Sequence, residues 1–135
     1  MSAKEVLRAV KKAEEKYKLS KELAEHSRYK LAYRGLASSD DAAPVTRDNT
    51  YENNLYNMLD LDERAKKDKE YFIRVRARAI ELIDSLDDAK ERTVLIHRYI
   101  YYEHWERIAE VMNYSLRQVH NINNRAMKHF AERLH

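Results

Sequence analysis

The chain has 135 residues, 36% charged and 44% hydrophobic, with a net charge of +3. One Gly, one Pro and no Cys exclude a turn-rich sheet protein, a disulfide framework and a thiolate metal site. No apolar run approaches the ~20 residues of a membrane span, and the N-terminus lacks a signal-peptide core, so a cytoplasmic protein is expected.

Residues 3–34 predict a long helix. Ala3, Val6, Val10, Ala13, Tyr17, Ser20, Ala24, Ser27 and Leu31 recur at alternating steps of three and four, a heptad seam with Ala and Ser at half its positions. Residues 35–50 hold the only Gly, the only Pro and the run SSDDAA, and read as a polar connector, a loop or a disordered segment. A second helix is expected over 51–86, with Leu55, Met58, Ala65, Phe72, Ala79, Ile83 and Leu86 on its seam and Asp62, Lys69 and Arg76 interrupting it. Its charged first half suits exposure or pairing with the first helix, and its apolar second half suits burial against the C-terminal domain. The two helices are expected to pack antiparallel, in one chain or across a dimer, as a hairpin or coiled-coil arm over 1–86.

Residues 87–135 form the second expected domain. Asp88 and Glu91 have capping-box spacing and open a helix running to about Tyr102. The aromatic run RYIYYEHW suits core and hinge packing better than a stacking platform for bases. From Glu103 the chain reads EHWERIAEVM, NYS, LRQVHNINNRAMKHF, two helices about a tight turn. Ile108 and Met112 share one face of the first helix, and Ala109 is small where a crossing helix needs close approach. Asn113 suits a left-handed turn position. Ser115 and Gln118 form a capping box, and Tyr114 and Val119 are spaced as a hydrophobic staple around it.

The second of these helices, expected over 116–131, divides into two faces. Val119, Ile122, Ala126 and Phe130 share one; Arg117, Asn121, Asn124 and Lys128 share the other, with His120 at its edge. The polar face has no acid and carries the side chains that read base edges, Arg for guanine and Asn for adenine. A solvated face of an ordinary helical domain is the plain alternative. Residues 113–135 carry Arg117, Arg125, Lys128 and Arg133 against Glu132 alone, a net of +3, which suits a phosphate backbone. The candidate DNA-binding residues are Ser115, Arg117, Gln118, His120, Asn121, Asn124, Arg125 and Lys128, the last two toward phosphate. No HExxH, Gly-rich loop or nucleophile elbow is present, so neither an enzyme, a metal site nor a cofactor is expected.

The segment IDSLDDAKERTVLIHRYIYYEHWERIAEVMNYSLRQVHNINNRAMKHF resembles region 4 of sigma-70 factors. The likeness rests on Arg92, Val94, Leu95 and Arg98-Tyr99, on Trp105-Glu106-x-Ile108-Ala109, on Tyr114-Ser115, and on Gln118-Val119 and Arg125-Ala126. It covers about residues 82–133. Where the family usually has Gly in the turn before the Trp, this chain has Tyr102. Where it usually has Ser or Thr just before the Trp, this chain has His104, which predicts a poorly capped first helix. The layout of the remainder is similar to small phage and prophage proteins of Gram-positive bacteria and to phage late-operon activators. The resemblance implies an all-α fold ending in a helix-turn-helix. It also implies a nucleoid-associated transcriptional regulator reading double-stranded DNA, with host RNA polymerase as a further partner; the matched seams of the long helices suggest a homo-oligomer, a dimer first. A small terminase subunit and a polymerase-docking protein that no longer binds DNA stay open beside it.

Overall fold

The structure, a computed structural model, describes residues 2–37 and 50–134, and every element among them is helical. The order is α1 (Ala3–Ala37), α2 (Thr50–Asp84), α3 (Ala89–Leu95), a π-helical segment (Ile96–Ile100), α4 (Trp105–Met112) and α5 (Leu116–Arg133). Among the described residues no helix is long and apolar enough to cross a membrane. The helix expected to stop at residue 34 continues through Gly35 to Ala37, because a single Gly weakens a helix without ending it. The rest of the expected connector, 38–49, lies outside the described residues.

The chain forms two compact units, residues 1–13 with 72–135, and residues 14–71. In the second unit α1 and α2 pair antiparallel within the one chain. Lys16 Nζ lies 3.8 Å from Asp68 Oδ1, and Arg28 Nη2 lies 2.7 Å from Asp62 Oδ1, so later positions on α1 meet earlier ones on α2. Ser20 and Ala24 are buried on the α1 seam, and the Ser20 hydroxyl is satisfied by the Tyr17 carbonyl at 3.1 Å. On α2 the expected interruptions need correction. Asp62 does face inward, half-buried, but Lys69 and Arg76 are exposed and Asp68 and Val75 occupy the stripe beside them. A straight α-helix advances 3.6 residues per turn, so a seam counted in strict heptads drifts off the buried line.

In the first unit Ala3, Leu7 and Val10 from α1 join Ala79, Leu82, Ile83 and Leu86, then Leu95, Ile100, Ala126 and Phe130, in one core. This burial of the apolar end of α2 matches the expectation from its composition. A second cluster, Val94, Ile108, Ala109, Val119 and Ile122, ties α3, α4 and α5 together, with Trp105, Met112 and Tyr114 packed on it. Full burial of a side chain the size of Phe130 contributes about 2–3 kcal/mol.

The helix expected to reach Tyr102 changes character earlier. After Leu95 it widens into the π-helical segment, where the Tyr101 N–H reaches back to the Ile96 carbonyl at 3.0 Å. Tyr102 then takes a left-handed conformation, φ 58, and the Glu103 N–H closes on the His97 carbonyl at 2.9 Å. Left-handed residues commonly end helices this way, but usually as Gly. Here Tyr occupies that place.

The expected Asp88–Glu91 capping box does not form; a plain N-cap bond takes its place. Asp88 caps α3 by accepting from the Lys90 N–H at 2.8 Å. Glu91 does not reach back; it is 2% exposed, and both its carboxylate oxygens lie within 2.9 Å of His129 Nδ1 on α5. A tertiary partner has outcompeted the local one, since a buried carboxylate needs a donor.

Candidate nucleic-acid interface

The interface is built from the turn outward. α4 ends at Asn113, which adopts φ 61 and ψ 42, the left-handed geometry expected of it. Its N–H and that of Tyr114 return to the carbonyls of Glu110 and Ala109 at 3.2 and 2.9 Å. Ser115 then caps α5. Its Oγ accepts from the Gln118 N–H at 3.2 Å, and Gln118 Oε1 accepts from the Ser115 N–H at 2.8 Å, a complete capping box. Val119 is fully buried and Tyr114 packs against its cluster, as a staple does. At its other end α4 is capped by His104 backbone without any side-chain hydrogen bond. That is the weak cap its sequence predicts.

This turn fixes which face of α5 is sealed. Val119, Ile122, Ala126 and Phe130 are buried. Ser115, Arg117, Gln118, His120, Asn121, Asn124, Arg125 and Lys128 are all exposed. At 100° per residue the helical members from Arg117 to Lys128 fan across one side of α5 with no carboxylate among them.

The geometry also separates their roles. The Ser115 hydroxyl and the Gln118 carbonyl oxygen are engaged in the cap, so Gln118 retains only its NH₂ as a free donor. A bidentate adenine contact needs donor and acceptor together; Asn121 and Asn124 offer both, whereas Gln118 already gives one lone pair of its oxygen to the cap. The His120 ring packs at 4.6 Å, tilted by 48°, on Trp105 of α4, which holds it at the edge of the face. Asn123 faces the other way, accepting from the Tyr99 hydroxyl at 3.3 Å.

One residue of this surface is missed by sequence reasoning. Lys90, from α3, lies in a shallow groove with Gln118, Asn121, Asn124 and Arg125. Its ammonium sits 5.4 Å from the Tyr114 ring centroid. Hydrogen bonding to the Tyr114 side chain, helped by the negative potential of that group, raises its pKa above the usual lysine value. Twenty-eight positions separate Lys90 from Gln118, and no local spacing signals that they meet. Lys90 adds a cation beside the α5 face, next to Tyr114.

The far end of α5 is anchored separately. His129 pairs with the buried Glu91, and Arg133 Nη2 lies 3.4 Å from Asp87 Oδ2. No protein-family model matches the chain, and neither a curated protein nor a solved structure does.

Proposed function

We propose that this chain is a sequence-specific DNA-binding regulator of transcription, built on a helix-turn-helix in which α5 enters the major groove. The observation that carries the reading is the division of α5. Its apolar side is fully sealed, while Arg117, His120, Asn121, Asn124, Arg125 and Lys128 stand exposed without an acid among them. A side that only met solvent has no reason to keep Glu and Asp out of the stretch from Arg117 to Lys128, and the one acid of α5, exposed Glu132, comes in its last turn. A side facing phosphates has that reason.

In this reading Arg117 and Asn121, in the first two turns, meet base edges. Arg125 and Lys128 approach phosphate as the helix leaves the groove. The short α4 crosses the backbone above them. Lys90 extends the phosphate contacts from α3. The likeness to sigma-70 region 4 supports the same assignment and adds host RNA polymerase as a partner. A second copy of the chain is the other partner proposed. The unit spanning 14–71 exposes Leu19, Leu23, Tyr56 and Leu59, apolar surface that a dimer through the long helices would cover.

The test is selection from a pool of random duplexes by the folded protein. Enrichment of one short sequence supports the reading. A folded protein that retains no duplex, or retains all alike, contradicts it.

A further inference from the structure

A second basic surface lies apart from the α5 face. In the unit of residues 1–13 and 72–135, a groove of about 490 Å³ is lined by Lys4, Arg8 and Lys11 of α1 and by Arg98, Tyr102 and His104. Among the described residues no carboxylate lines it. Lys4, Arg8 and Lys11 are exposed, and among the described residues none of the three is in an ion pair shown by the structure. Lys11 Nζ sits 5.9 Å from the Tyr102 ring centroid, so the left-handed turn at Tyr102 places an aromatic wall beside it. Bringing these like charges together costs free energy unless an anion joins them.

Two ring contacts link the groove to the edge of the α5 face. Arg98 Cζ stands 4.5 Å over the Trp105 ring, and that ring packs 4.6 Å from His120 at the edge of the α5 face. His104 is the N-cap of α4, and its side chain leaves the first N–H groups of that helix uncapped. Lys4, Arg8 and Lys11 repeat at four and three positions, so they share one side of α1 over about 10 Å at 1.5 Å per residue. One strand of B-DNA carries a phosphate about every 3.4 Å of axis, so such a row faces two or three of them.

We infer that this groove holds backbone phosphates of the duplex that α5 reads, flanking the bases that α5 contacts. α1 then acts as a sequence-independent clamp. The inference rests on the proposed reading of α5 and adds a second contact surface to it. It also explains why the start of α1 is packed into the same core as α5: Leu7 and Val10 hold the basic row rigidly against the domain.

The test is a salt titration of binding by the full chain and by a Lys4→Ala, Arg8→Ala, Lys11→Ala triple variant, with folding followed by circular dichroism. The three side chains are exposed and Ala suits a helix, so the variant folds. The expected result is a plot of log affinity against log salt shallower by about two, from ~0.9 per lost phosphate contact, for specific and random duplexes alike. Discrimination between the two duplexes stays at the parent level, and backbone protection shrinks at one flank. An unchanged slope with the parent still binding DNA overturns the clamp and leaves α5 as the reader. The same holds if the variant loses only affinity for a poly-glutamate probe, which assigns the groove to an acidic peptide. A parent chain that binds no duplex at any salt overturns both proposals.

Discussion

Single residues set the turns on which the site depends, and they differ in how openly the sequence displays them. Asn113 is legible, because Asn is among the few residues that enter left-handed backbone readily, and it does so here with φ 61. Tyr102 is not, since nothing local marks an aromatic residue for φ 58. A Cβ in that region costs about 1–2 kcal/mol. Comparing Tyr102→Gly with Tyr102→Ala isolates this term, as both remove the ring. Urea unfolding should find the Gly variant more stable by about 1 kcal/mol after the extra chain entropy of Gly is counted. Equal stabilities would show that the turn relaxes when the ring is lost. Glu91 and Lys90 are equally hidden. Their partners, His129 and the α5 groove, arrive from distant sequence, and a capping-box spacing on Glu91 points to a local bond that burial overrides.

At the scale of elements, periodicity carries more information than turns do. Every position of the α1 seam from Ala3 to Leu31 is buried or half-buried, and the seam misses only the buried Leu7 beside it. The α2 seam slips at Lys69 and Arg76, where charged residues fall on a strict heptad. Helix ends are less legible, because α1 passes Gly35 and the helix begun at Ala89 widens at Ile96 instead of running unchanged to Tyr102. Within residues 14–71 the α1 side of the seam buries the small Ser20 and Ala24. Ala24→Leu should therefore overpack it and lower stability by about 1–3 kcal/mol. Arg28→Ala should cost at most about 1 kcal/mol, because its pair with Asp62 is largely solvated, with side chains 58% and 31% exposed. Thermal unfolding of the two variants checks the order. The reverse order would make the salt bridge the main tie.

At the scale of the molecule, composition foretells a helical protein, and charge distribution foretells where basic side chains gather without showing how they are shared. The net +3 of residues 113–135 is spread over the exposed side of α5, but Lys90 reaches that surface, and the α1 row forms a second basic groove, only through tertiary structure. The proposed dimer belongs to this scale. If the exposed Leu19, Leu23 and Leu59 are covered by a second copy, sedimentation should show a dimer that Leu19→Glu with Leu23→Glu converts to a monomer. A parent that sediments as a monomer at high concentration contradicts it. Base reading by the exposed face of α5 is the proposal on which the others rest. The most direct measurement is the affinity ratio between a selected duplex and a random one, for the parent and for Asn121→Ala, at one salt concentration. The expected result is a folded variant whose ratio falls by about 5- to 150-fold, corresponding to the ~1–3 kcal/mol of one good bidentate base contact. An unchanged ratio for this variant and for Arg117→Ala, both folded, would contradict it.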